Sequence, residues 1–232
     1  MKFVRVDTLL DGVAPLRDRL VRELSEGRKV LWLLTGGSSI SLSVSVMNQL
    51  PDELTTGLTA ILSDERYGDV GHKDSNAHQL DQAGFVPKHG VFIPVLRDGL
   101  SIQETRTLYD QNFQNALHQA DVVIAQFGMG ADGHIAGILP GSPAITSDNL
   151  AAAYDTPQFA RITLTPKALL QITAAYLYVF GNDRRSPLEQ LESEMLPVAT
   201  QPAQLLKQLP EAYVYNNQIG SIIPDGQNGE VV

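Results

Sequence analysis

Asp121-Val-Val-Ile-Ala-Gln-Phe127, running on into Gly128-Met-Gly-Ala-Asp-Gly-His134, decides the fold. A short apolar run that stops in a glycine-rich turn reads as a buried strand, and a buried strand feeding such a turn is the building unit of an α/β sheet. Working outward, Lys29-Val-Leu-Trp-Leu-Leu-Thr35 repeats the pattern and breaks at Gly36-Gly37-Ser38-Ser39 before a helix over 40–50. Ala175 to Phe180 repeats it again and breaks at Gly181-Asn-Asp-Arg184 before a helix over 186–194. Shorter strands are expected at 59–62, 91–94, 161–165 and 212–215. Upstream, Val13, Leu16, Leu20 and Leu24 recur at steps of three and four over 11–27, a helix face that Gly27 closes. Further helices are expected over 101–120, from the Thr165-Pro166 pair and over 202–209, with 68–84 a polar loop. The alternation predicts a single α/β domain over 1–232: a mostly parallel, Rossmann-like sheet flanked by helices, with a loose tail at 220–232.

Composition bounds the function. The 232 residues carry 17 Lys+Arg against 26 Asp+Glu, a formal charge of −9, so the overall field repels a phosphate backbone and no nucleic-acid partner is expected. Hydrophobic residues make up 43%, enough for a full core. There is no cysteine, which removes disulfides, zinc–thiolate sites and a thiol nucleophile. Charges interrupt every turn of the first twenty residues, and no apolar stretch reaches membrane-spanning length. A cytoplasmic protein with no membrane partner, monomeric or a small homo-oligomer, is the expectation.

In parallel sheets ligands sit outside the carboxyl ends of the strands, and the loops expected there carry the unusual residues. Gly36, Gly37 and Ser38 let the backbone approach an anion at a helix start; the same residues also make an ordinary strand–helix turn with a Ser cap. Asp64-Glu65-Arg66 gathers three charges after an apolar strand, either a phosphate or carboxylate fork or a solvated ion pair. Asp132 and His134 pair a proton-exchanging imidazole with a carboxylate that can orient it; the competing reading is a capping histidine. Gly128-Met-Gly-Ala-Asp-Gly133 also fits G-x-G-x-x-G, the weak fingerprint of a dinucleotide fold. Arg161 and Arg184 are basic positions at predicted strand ends. The other histidines show no metal-ligand spacing, so neither metal nor cofactor is expected.

Together these blocks resemble the 6-phosphogluconolactonases of the sugar-phosphate-isomerase-like α/β type, relatives of the glucosamine-6-phosphate deaminases. The resemblance rests on Thr35-Gly36-Gly37-Ser38, on Asp64-Glu65-Arg66 with Ser75-Asn76, on Gly128-Met-Gly-Ala-Asp132-Gly-His134-Ile-Ala136 with Pro140-Gly141, and on Arg161-Ile-Thr-Leu-Thr165. It covers about residues 30–190. The deaminases carry D-E-Y and a catalytic Glu before the Pro, whereas this chain has Arg66 and Leu139, which favours the lactonase branch. The chain departs from the family pattern at Gly68-Asp69, at Ser39-Ile40 and at Arg184, where a Lys is usual. The resemblance implies metal-free hydrolysis of a sugar-phosphate lactone. His134 would be the general base and Asp132 its orienting partner. Arg66 and loop N–H groups would meet the oxyanion, with Asp64 beside them. Gly36, Gly37, Ser38, Arg161 and Arg184 would hold the 6-phosphate. A deaminase or isomerase on the same fold, and a catalytically silent sugar-phosphate-binding protein, stay open at this point.

Overall fold

The computed structural model describes residues 1–222. Their strands are β1 (Lys2–Arg5), β2 (Val30–Leu34), β3 (Leu58–Leu62), β4 (Asp64–Arg66), β5 (Val91–Ile93), β6 (Val122–Gly128), β7 (Ala151–Asp155), β8 (Ala160–Leu164), β9 (Ala174–Val179), β10 (Glu211–Asn216) and β11 (Ser221–Ile222). Eight of them form one sheet in the order β11-β1-β10-β9-β6-β2-β3-β5, and every neighbouring pair is parallel. Val30-Leu-Trp-Leu-Leu34 and Ala174 to Val179 are buried at every position, because a parallel sheet is covered on both faces. The expected α/β fold with a mostly parallel sheet is the one observed.

The helices are α1 (Val13–Ser25), α2 (Ile40–Gln49), α3 (Asn76–Gln82), α4 (Ile102–Gln119), α5 (Pro166–Leu169) and α6 (Arg185–Ser193). Leu16, Leu20 and Leu24 of α1 are buried as their spacing demands, and Gly27 takes φ +76°, the left-handed residue that stops a helix. Ser101 starts α4 with a capping box, its amide donating to Glu104 and its hydroxyl accepting from the Glu104 amide.

Chain order along the sheet places the site. From β2 the chain steps outward through β3 to β5; from β6 it steps the other way through β9 to β10. The reversal lies between β2 and β6, and a crevice at such a switch point is where an open α/β sheet takes its ligand. The loops after β9, β6, β2 and β3 are those of four adjacent strands.

Several expectations change. Asp64-Glu65-Arg66 is not a loop but β4, and Arg161 lies outside the main sheet: β4, β8 and β7 make a separate antiparallel sheet. Residues 151–155 form the strand β7 despite their alanines, because pairing along β8 outweighs weak intrinsic β-preference. The polar stretch 68–84 contains α3, started by Ser75, whose hydroxyl accepts from the His78 amide. The segment over 202–209 is 3-10 rather than α-helical (Pro202–Gln208). Lys2–Arg5, where no element is expected, is a strand beside β10. Of the expected loose tail, Ser221–Ile222 pair with β1, while 223–232 lie outside the described residues.

Candidate active site

The four loops enclose a cleft of about 280 Å³. Gly36, Gly37, Ser38, Asp64, Arg66, His134, Arg161 and Arg184 all line it; Asp132 stands behind His134. The residues singled out in the sequence therefore converge on one place.

The loop after β2 reaches the cleft through a 3-10 turn, Gly37–Ser39, that leads into α2. Gly37 adopts φ +68°, a conformation that costs a residue with a Cβ. A buried polar clamp fixes this loop: the Gln126 side-chain amide donates to the Ser39 carbonyl (2.9 Å), and the Ser43 hydroxyl donates to Gln126 Oε1 (3.1 Å). Amide groups and the positive end of a ten-residue helix thus face the cleft, an arrangement suited to an anion.

The loop after β6 holds the dyad. His134 Nδ1 lies 2.6 Å from Asp132 Oδ1, and the same oxygen accepts from the His134 amide at 3.1 Å. A proton on Nδ1 donated to Asp132 leaves Nε2 with the free lone pair. The hydrogen bond from His134 holds the Asp132 carboxyl below its ordinary value. The loop is closed by Gly130 and Gly133 backbone bonds and backed by the 3-10 segment, where the Ala203 amide donates to the Gly133 carbonyl. No helix starts at Gly128-Met-Gly-Ala-Asp-Gly133, so the glycine spacing lacks the helix start that a dinucleotide fingerprint requires.

The third wall comes from the small sheet. Asp64 and Arg161 are both buried, with Arg161 Nη1 3.5 Å from Asp64 Oδ2. Burial pushes the Asp64 carboxyl up, against the pull of Arg161, Arg66 and His134. Arg66 donates from Nη1 to the Asp74 carbonyl (2.8 Å). The Nε atoms of Arg66 and of Arg161 are buried without a partner. On the opposite side Arg184 donates from Nε to the Met129 carbonyl and from Nη1 to the Phe180 carbonyl, each at 2.8 Å. Three guanidinium groups therefore make a cationic cleft in a chain of net charge −9. Among the described residues no three His, Asp or Glu side chains group as metal ligands, and no helix is long and apolar enough to cross a membrane.

Two features had little signal in the sequence. Glu65 is fully buried and accepts from the Arg66, Asn76 and Ala77 amides and from the Ser75 hydroxyl, which ties β4 to the start of α3. Asn76 donates to the Asp64 carbonyl and lies so close to Gly36 that a Cβ there would meet Asn76 Oδ1 at 1.8 Å. The Asp-Glu-Arg and Ser-Asn blocks were visible; that their middle carboxylate faces inward was not. Replacing Glu65 by Ala strands three amides and a hydroxyl in the interior. The expected loss is about 3 kcal/mol or more, a fall in Tm of about 6–12 °C. A thermal melt within about 2 °C of wild type would refute it.

Comparison with known proteins agrees with this geometry. A 6-phosphogluconolactonase from Neisseria meningitidis is 30% identical over 197 residues, covering 79% of this chain and 81% of its own. One from Xylella fastidiosa is 29% identical over 197 residues, covering 75% and 76%. A crystal structure of a 6-phosphogluconolactonase from Shewanella baltica superposes with a TM-score of 0.79 at 21% identity, covering 93% and 97%, which establishes a shared fold. The family model described as glucosamine-6-phosphate isomerases/6-phosphogluconolactonase matches residues 8–214, a span that holds all four loops of the cleft and the small sheet that walls it. By that match, and with its dyad and cationic cleft at the switch point, the chain belongs to the glucosamine-6-phosphate isomerase/6-phosphogluconolactonase family.

Proposed function

We propose that the protein is a carboxylic ester hydrolase that opens 6-phosphoglucono-δ-lactone to 6-phosphogluconate, a step of the oxidative pentose phosphate pathway. The observation that carries this reading is the 2.6 Å Asp132–His134 contact beside a cleft walled by three arginines. The names of the relatives support it, and so does Leu139, an apolar side chain where the deaminases carry a catalytic Glu.

His134 Nε2 takes a proton from a water as its oxygen attacks the lactone carbonyl. Asp132 holds the ring and stabilises the imidazolium that forms. The carbonyl oxygen becomes an oxyanion facing Arg66 and loop amides, with Asp64 beside them. The tetrahedral carbon then expels the ring oxygen, which receives the proton from His134 as the C–O bond breaks. Gly36, Gly37, Ser38, Arg161 and Arg184 hold the remote phosphate, whose binding energy fixes the ring against the dyad. None of these steps calls on a metal.

The test is hydrolysis of freshly generated lactone above its spontaneous background. Acceleration supports the reading; no acceleration overturns it. Arg184→Ala is expected to raise KM about 10–100-fold with kcat changed no more than about threefold, because the phosphate contact is made in ground and transition states alike. An unchanged KM would remove Arg184 from the phosphate site.

A further inference from the structure

We propose that Phe159 is a positioning residue whose ring carries Arg66 and Arg161 and sets the spacing of these two guanidinium groups for the anionic substrate. The Arg66 guanidinium carbon lies 5.1 Å from the centroid of the Phe159 ring, and that of Arg161 lies 5.0 Å from it. Both fall within the range in which a cation is attracted to an aromatic face. The inference rests on the hydrolase reading for the identity of the anion.

Two like charges sharing one small space repel, and little else restrains this pair. Arg161 has Asp64 at 3.5 Å, a long contact, and Arg66 has the Asp74 carbonyl; the Nε atom of each is buried and unpartnered. The ring offers a negative face within reach of both cations, so they are held before an anion arrives. That pre-organisation lowers the ordering cost of binding.

Nothing else in the structure asks for an aromatic side chain here. Among the described residues Phe159 is neither in the hydrophobic core nor packed against it. Its backbone closes the β7–β8 hairpin unaided: the Thr156 amide and hydroxyl donate to the Phe159 carbonyl, and the Phe159 amide donates to the Thr156 hydroxyl. The ring can therefore be exchanged without opening the turn. Phe159 also precedes Arg161-Ile-Thr-Leu-Thr165 by two residues, outside the block that carries the family resemblance.

The experiment compares Phe159→Leu, which keeps apolar bulk and removes the π face, with Phe159→Tyr, which keeps the face. Lactone kinetics are measured together with calorimetric titration of 6-phosphogluconate. Phe159→Leu is expected to raise KM and to weaken 6-phosphogluconate about tenfold each and, because Arg66 also faces the oxyanion, to lower kcat about three- to tenfold, with Tm within about 2 °C. Phe159→Tyr is expected to stay within about twofold of wild type in all of them. Wild-type KM and affinity in Phe159→Leu would overturn the proposal, as would a Phe159→Tyr variant equally impaired. If wild type fails to hydrolyse the lactone, the hydrolase reading falls and the titration alone decides. A weaker Phe159→Leu then upholds the clamp, and equal affinities, or no binding of 6-phosphogluconate by wild type, overturn it.

Discussion

His134→Ala is expected to lower kcat about 10³-fold while leaving the affinity for 6-phosphogluconate within about threefold of wild type. The imidazole is held by Asp132 at 2.6 Å on Nδ1, which leaves Nε2 as the only ring nitrogen free to accept a proton from water. The side chain is partly exposed at the cleft rather than embedded in the core, so its removal costs little packing. The anion contacts lie in other loops and survive the change. The dyad also fixes the direction of the pH dependence. Because the hydrogen bond from His134 lowers the Asp132 pKa below its ordinary 3.8, the carboxylate is charged throughout the range above that value and is neutralised only as pH falls below it. Loss of the Asp132 carboxylate is therefore not expected to limit activity until the pH falls below that value. Full turnover in this variant would remove the general base from the mechanism.

The parts of the fold that were legible are those where one residue pattern has one physical outcome. Val30 to Leu34 and Ala174 to Val179 read as strands because an unbroken apolar run is needed where both faces of a sheet are covered. The parts that were not legible depend on a partner far along the chain. Ala151-Ala-Ala-Tyr-Asp155 has little strand character of its own; β8 confers it, register by register. The Asp-Glu-Arg block reads as a charged turn because three ionisable residues rarely lie in the interior. It is β4, buried, because Glu65 gathers three donors from the start of α3 and a fourth from the Arg66 amide. The site shows the same division. Asp132, His134 and the three arginines carry their chemistry in their side chains and could be named from the sequence. Phe159, Gln126 and Asn76 matter through whom they touch, and no local signal announces a contact between β6 and the loop after β2.

A second large effect is expected from a residue that carries no functional group. Gly130 lies under the dyad: a Cβ built on it would meet His134 Nδ1 at 2.2 Å, His134 Cε1 at 2.3 Å and Asp132 Oδ1 at 2.7 Å. Ordinary contact begins near 3.4 Å, so in Gly130→Ala the imidazole must retreat by about 1 Å. Gly130 is not among the residues of positive φ, so alanine fits its backbone, and its amide can still donate to the His134 carbonyl. The strain therefore falls on the two side chains, which are free to swing into the cleft. Displacement of that size breaks the 2.6 Å hydrogen bond and turns Nε2 away from the attacking water. The expected result is a fall in kcat of about 10²-fold, with Tm within about 3 °C of wild type and anion affinity retained. Gly133→Ala offers the contrast: at φ +80°, with Gln201 Cγ 2.6 Å from the added methyl, it strains the backbone and the 3-10 segment behind the loop, so stability falls together with rate. If Gly130→Ala keeps wild-type kcat, the close approach of the loop backbone to the imidazole is not what holds the dyad in register. If it loses rate and stability together, as Gly133→Ala is expected to, Gly130 serves the loop rather than the histidine.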